Sequence, residues 1–402
     1  MQISLTCEVN ISLANCSLKE IISSFQKTLL DILSQIVYAT LKEYTDRELQ
    51  KVESTFRCTK CGSNTSFKWK TCNGNKTSLL TIFGKISYPE LQVYCSCCGK
   101  RKVLSRELLG VEKRARIPSI TIRKLGLLGA LTTYGVSKKI AGMFGIVLNK
   151  MTVWRAVQKV GKSIVFDLDP DEQNTGEADG TGIPIRGIKK RGKEIKVFLQ
   201  LKKGGGCRIA GLSIGKYSSG WNTLFRPIIE QFSYFKKFLL VTDGDSSILK
   251  GLGNKVEVIF QRCLWHIPHQ FKWYGWKDGV DKKSNIWISK LTQLINIVDV
   301  SKLLDEDDKC LKSMIALKKK QYGKLINECE KQGWEHTAKY LDNAKNDLFS
   351  GVENRLKGKT SSHAERVMKT LKMRTRTGKW SEKSALNLIK IRLAYYYNGW
   401  SE

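Results

Sequence analysis

The chain is expected to be an α/β protein whose central sheet is interrupted by a long helical insertion and preceded by a helical, cysteine-bearing region. Three observations predict this. Three strand-like runs in succession, Gly176–Arg186, Glu194–Leu201 and Arg208–Ile214, give way to alternating helix and strand. Residues 264–350 then hold only helical periodicity. Upstream, Cys58-x-x-Cys61 and Cys95-Ser-Cys97-Cys98 form two cysteine pairs around a stretch of β-type content.

Composition narrows the function before any motif is read. A chain of 402 residues has room for two to four domains, and a 41% hydrophobic fraction is that of a folded protein. With 69 Lys+Arg against 37 Asp+Glu the formal net charge is +32, which points to nucleic acid as partner. No apolar run approaches the ~18–20 residues of a spanning helix, and Met1-Gln-Ile-Ser-Leu-Thr-Cys7 does not open a signal peptide. A cytoplasmic, nucleoid-associated protein with no membrane partner is therefore expected. Its 12 cysteines should be reduced thiols or metal ligands.

Residues 1–55 should form an N-terminal amphipathic helix, because Ile21, Ile22, Phe25, Leu29, Leu33, Ile36, Val37 and Leu41 recur at helical spacing over 18–52. Residues 56–110 read as a zinc-ribbon-like domain. Two Cys-x-x-Cys turns, marked by Gly62 and Gly99, can aim Cys58, Cys61, Cys95 and Cys98 at one tetrahedral Zn²⁺. Cys97 is the alternative fourth ligand and Cys72 a bystander.

Residues 111–170 read as helical with a break near Gly145–Asn149. Ser137–Ile146 and Asn149–Val160 then make a possible helix-turn-helix, with Arg155 on the recognition helix; a plain helical hairpin is the alternative. Residues 171–269 continue the three strands with a helix over Trp221–Phe232, a strand over Phe238–Thr242, a short helix after Asp243 and a strand over Val256–Phe260. Strand meander followed by helix–strand alternation is the order of an RNase H-like catalytic core. Residues 270–350 are its helical insertion, and 351–402 its C-terminal part, with a basic helical region over 362–397 broken near Gly378.

The chemistry is expected at three acids. Asp179 lies inside the first strand and Asp243 at the end of the fourth, each followed by glycine. Asp-Gly is a common turn dipeptide, which fits Asp243 better than Asp179. Two carboxylates on neighbouring strands repel unless cations bridge them. Glu365 heads the basic C-terminal helix, although Ser362-His-Ala-Glu365 also reads as a capping box. Between these acids, Cys263-x-x-His266 with His269 one turn on could be a second zinc site, but it reads better as placing His266 beside the acids, as a contact to phosphate or leaving group.

These residues resemble those of DDE-type insertion-sequence transposases related to the Mutator-like and hAT transposases. The resemblance rests on Asp179-Gly-Thr, Thr242-Asp-Gly244, Cys263-x-x-His266 and Ser361-Ser-His-Ala-Glu-Arg366 followed by Lys372-Met-Arg-Thr-Arg376. It covers about 176–397, and the spacings agree: 243 − 179 = 64 residues, then 365 − 243 = 122 across the helical insertion. The residue after Leu264, Trp265, has no role in this resemblance.

The resemblance implies a mechanism. Asp179, Asp243 and Glu365 would hold two Mg²⁺ (or Mn²⁺) ions, with His266 catalytic beside them, for hydrolysis that exposes 3′-hydroxyls and for strand transfer. Double-stranded DNA, as element ends and as target, would be the partner, bound by a homodimer or higher oligomer. Arg155, Lys189, Lys190, Arg191, Arg366, Lys372, Arg374 and Arg376 are the expected DNA contacts, with Arg186 and Lys193 beside them. The rivals are an RNase H-like nuclease or resolvase and a non-catalytic DNA-binding regulator.

Overall fold

The computed structural model describes residues 18–50, 57–70, 77–112, 115–188, 193–217, 220–253, 257–301, 303–358, 360–376 and 378–400. The chain is mixed α/β and divides between Lys162 and Ser163 into two units.

In the first unit, helix α1 (Leu18–Gln50) spans the described part of the expected amphipathic helix. Its Leu30, Leu33, Val37 and Leu41 pack on Leu79, Ile86 and Tyr88 of the hairpin β2 (Thr77–Thr81) and β3 (Gly84–Tyr88). A second antiparallel sheet joins β1 (Thr65–Lys70), β4 (Glu90–Cys95) and β5 (Arg101–Val103) in the order β1-β4-β5. The short α2 (Ser105–Leu108) precedes three helices, α3 (Ser119–Leu131), α4 (Tyr134–Met143) and α5 (Lys150–Ser163). α3 and α5 come together closely at glycines: a Cβ on Gly129 would lie 2.7 Å from Val153 and Val157. The break between α4 and α5 falls where expected, at Gly145 with φ +74°.

The second unit is organised by a five-stranded mixed sheet in the order β10-β9-β6-β7-β8. β6 (Thr175–Gly182), β7 (Glu194–Leu201) and β8 (Cys207–Gly215) form an antiparallel meander, while β9 (Phe238–Thr242) and β10 (Val258–Arg262) run parallel to β6. One face, with Ala178, Phe198 and Leu240, packs on Trp221 and Phe225 of α6 (Gly220–Phe225) and Ile248 of α7 (Ser246–Leu252). α13 (Ser362–Thr375) lies against β6 and α14 (Glu382–Tyr397) against β8.

Between β10 and α13 the chain is helical: α8 (His266–Lys277), α9 (Asn285–Val298), α10 (Asp308–Lys331), α11 (Glu335–Ala344) and the single turn α12 (Ser350–Glu353). They enclose a core of their own that runs from Leu264 to Val352. At its centre Phe271 stacks on Trp287 with ring centroids 4.5 Å apart.

Three expected elements differ in extent. The strand expected over Gly176–Arg186 ends at Gly182, because Pro184 has no N–H for a ladder; Ile185 returns as a single bridge to Trp380. The helix expected over Trp221–Phe232 stops at Phe225 and resumes as a 3-10 turn at Ile229–Tyr234, since Pro227 cannot continue it. The strand expected over Val256–Phe260 is displaced to Val258–Arg262, and Val256 lies outside the described residues.

Candidate active site and cysteine cluster

The parallel pairing of β6 with β9 sets Glu177 opposite Val241. Asp179 lies two residues further along β6, and Asp243 two residues past Val241, just after β9 ends. Strand alternation puts Glu177 and Asp179 on one face of β6, the face that α13 covers. Asp179 is half-buried and Asp243, in the turn after β9, is exposed. That turn requires Gly244: its φ is +99°, and a Cβ there would stand 2.2 Å from Arg262 Nη1.

Glu365 reaches this place through a contact outside its own helix. The capping box that is the alternative reading of Ser362 and Glu365 does not form. Ser361 occupies the N-cap position, with no side-chain cap, and Glu365 falls in the first turn. The cap comes instead from Glu177, 1% exposed, whose Oε2 accepts the Ala364 N–H at 2.7 Å and whose Oε1 meets His363 Nδ1 at 3.0 Å. A buried carboxylate in β6 therefore fixes where α13 begins. The partners of Glu177 lie 186 and 187 residues down the chain, so no local pattern in the sequence signals this cap.

The Cys263-x-x-His266 turn fixes the same helix start from the other side. Ser361 N–H donates to Cys263 Sγ at 3.2 Å, and His266 Nδ1 lies 3.4 Å from Ser361 Oγ. His266 Nε2 then stands 3.2 Å from Glu365 Oε1. Burial pulls the His266 pKa down, but hydrogen bonding to Cys263 and the charges of Cys263, Glu365 and Asp243 outweigh it and raise it. His266 thus stands among groups that favour its protonated form. His269 is exposed and turned to Trp265, with rings 4.4 Å apart, so the residues weighed as a second zinc site do not gather.

The acids interact with one another. Burial, then the charges of Asp243 and Glu365, raise the Asp179 carboxyl from the usual 3.8 to about 7, against the lowering effects of the Gly180 N–H and His266. Their oxygens are not drawn into one tight knot, however. Among the described residues, only the cysteines form a group of three or more metal-type ligands within 4.8 Å of one another. Each carboxylate is held locally: Asp179 Oδ1 by the Gly180 N–H at 2.7 Å, Asp243 Oδ1 by the Asp245 N–H at 3.1 Å, Glu365 by His266.

Beside Asp179 opens a cavity of about 920 Å³, walled by Gly180, Glu194 and Tyr217 and by the cations Lys193, Lys372 and Arg376. Of the expected DNA contacts, Arg366 and Arg376 are exposed, Lys372 is half-buried, and Arg155 is exposed on α5. Arg374 corrects the expectation. It is 5% exposed, with its guanidinium 4.9 Å from the centre of the Trp380 ring, so it packs inside the unit instead of meeting solvent. Lys189, Lys190 and Arg191 lie outside the described residues, as does Cys72.

In the first unit Cys58, Cys61, Cys95 and Cys98 come together as a set, with Cys58 and Cys98 sulfurs 3.4 Å apart and Cys61 and Cys95 sulfurs 3.5 Å apart. Each pair is presented by a tight turn in which Gly62 or Gly99 takes positive φ and donates to the first cysteine's carbonyl. The Lys60 N–H aimed at Cys58 lowers that thiol, and the Ser63 hydroxyl and N–H bring Cys61 down to about 6. Four sulfurs at this spacing could bind a structural metal such as zinc. Cys97 is exposed and outside the set.

Among the described residues, no helix is long and apolar enough to cross a membrane. No protein-family model matches the chain, and no curated protein matches it.

Proposed function

We infer that the chain is a DNA transposase of the DDE type, with an RNase H-like catalytic domain in its second unit. One observation carries this reading: Asp179 on β6 and Asp243 just past the end of the adjacent β9 lie close enough to act on each other electrostatically, and Glu365 is brought to them after a helical insertion. The sheet order β10-β9-β6-β7-β8, with β6, β7 and β8 antiparallel and β9 and β10 parallel to β6, supports the fold assignment.

The donor set suits hard divalent cations, since it offers carboxylate oxygens only. A metal pair about 3.5–4 Å apart spans a wider ligand set than a single ion, which accommodates oxygens that do not all touch. Two Mg²⁺ or Mn²⁺ ions would supply an activated water or 3′-hydroxyl and a stabilised leaving oxygen. Asp179, half-buried and pressed by two other acids, gains most from giving up its proton to such a site. His266 holds Glu365 and would contact a phosphate beside it. Lys193, Lys372 and Arg376 draw the DNA backbone along the cavity beside Asp179. Arg155 and the cysteine cluster are suited to reading element ends, and two or more copies would bring two ends together.

The experiment is joining of a pre-cut duplex end to target DNA with Mg²⁺ present. The wild type is expected to join, and Asp179→Asn, Asp243→Asn and Glu365→Gln are each expected to lose joining while still binding DNA. Joining that survives Asp179→Asn refutes the reading. Cutting without joining favours a nuclease.

A further inference from the structure

Helix α8 carries a row of side chains that the acid group does not use. Trp265, just before the helix, and His269, Lys272, Trp273 and Trp276 are all exposed. At 100° per residue these five fall within about 100° of arc. Ile267, Phe271 and Gly275 fill the opposite face and are buried. The tryptophans are 50%, 45% and 64% exposed, far more than packing rings are.

The row begins at the acids. The Trp265 ring centroid is 5.0 Å from that of His266, which itself holds Glu365. From there the row extends about 16 Å along the helix to Trp276. Lys277 places its ammonium 4.0 Å from the centre of the Trp273 ring. Residues 266–277 include no acid, and Asp278, next in the chain, is occupied by the N–H groups of His336 and Thr337.

We propose that this face of α8 is a stacking track for an unpaired DNA strand that leaves the acid group. The proposal rests on the function inferred above for its polymer. Aromatic rings accept any base, because every base has a π face, and Lys272 and Lys277 answer the phosphates. A fully paired duplex hides those faces, so the track selects DNA whose strands are separated next to the reacting phosphate. A protein partner is the alternative occupant of an aromatic face. The absence of acids, the flanking lysines and the continuity with the carboxylates favour a polyanion.

The full-length protein, with no divalent cation added, is titrated with one duplex in two forms: fully paired, or ending in about four unpaired nucleotides. The tailed form should bind about tenfold tighter or better and quench tryptophan emission. Trp273→Ala/Trp276→Ala should lose that preference and leave paired-duplex binding unchanged, while Trp273→Phe/Trp276→Phe keeps most of it. Equal binding of both forms, or equal losses on both, overturns the track but leaves the transposase reading standing. Binding of neither form overturns both.

Discussion

Glu177 and Ala364 lie 187 residues apart and meet in a 2.7 Å hydrogen bond that decides where helix α13 starts. Because Glu365 is the next residue, the same contact sets its distance from Asp179. Glu177→Ala leaves the Ala364 N–H without its acceptor and His363 without its partner, and should cost about 1–3 kcal/mol in urea unfolding. Glu177→Gln keeps an acceptor and should recover part of the loss. Wild-type stability in both variants would mean that α13 is positioned by something else.

Proton binding at Asp179 has a definite sign. Its carboxyl is raised from 3.8 to about 7, so the folded chain holds this proton more tightly than the unfolded one. Without metal, this group therefore takes stability away as pH climbs through that interval. A cation held by the carboxylates reverses the trend by favouring the ionised form. Mg²⁺ should accordingly raise Tm more at pH 8 than at pH 6, and Asp179→Asn should abolish the difference. An equal rise at both pH values speaks against Asp179 as a ligand.

Two arginines close together should behave differently. Arg376 is exposed beside the cavity, so Arg376→Ala should weaken DNA binding on all sequences and reduce the salt slope by about 1. Arg374 is buried against Trp380, so Arg374→Ala should lower stability by about 1–3 kcal/mol and leave the salt slope as it was. Titrations of duplex DNA at several salt concentrations, with Tm measured alongside, separate the two effects.

The cysteine cluster predicts about one zinc per chain by elemental analysis. Cys58→Ser or Cys95→Ser should lose the metal and the fold of the β1-β4-β5 sheet, whereas Cys97→Ser should keep both. Metal retained in Cys58→Ser would place it elsewhere.

Much of this was legible where the signal is local. β7 and β9 occupy the expected ranges because apolar runs bounded by turns mark them. The cysteine set follows from spacing that a two-residue turn dictates. What stayed hidden depends on distant partners. Nothing near Glu177 announces His363, and the Ser362–Glu365 spacing reads as a capping box although a carboxylate from β6 supplies the cap. Arg374 was within reach of the sequence: it falls on the stripe of Ala364, Val367, Met368 and Leu371, all buried. Its charge hid a position that the 3.6-residue period assigns to the core.

The central claim is that Asp179, Asp243 and Glu365 hold a divalent metal pair. Anomalous diffraction from crystals soaked in Mn²⁺ tests it most directly. The account predicts two Mn²⁺ peaks about 3.5–4 Å apart, bounded by those three carboxylates. Crystals that show no manganese there, or a site completed by another acid such as Glu353 with Glu365 still turned to His266, would contradict it.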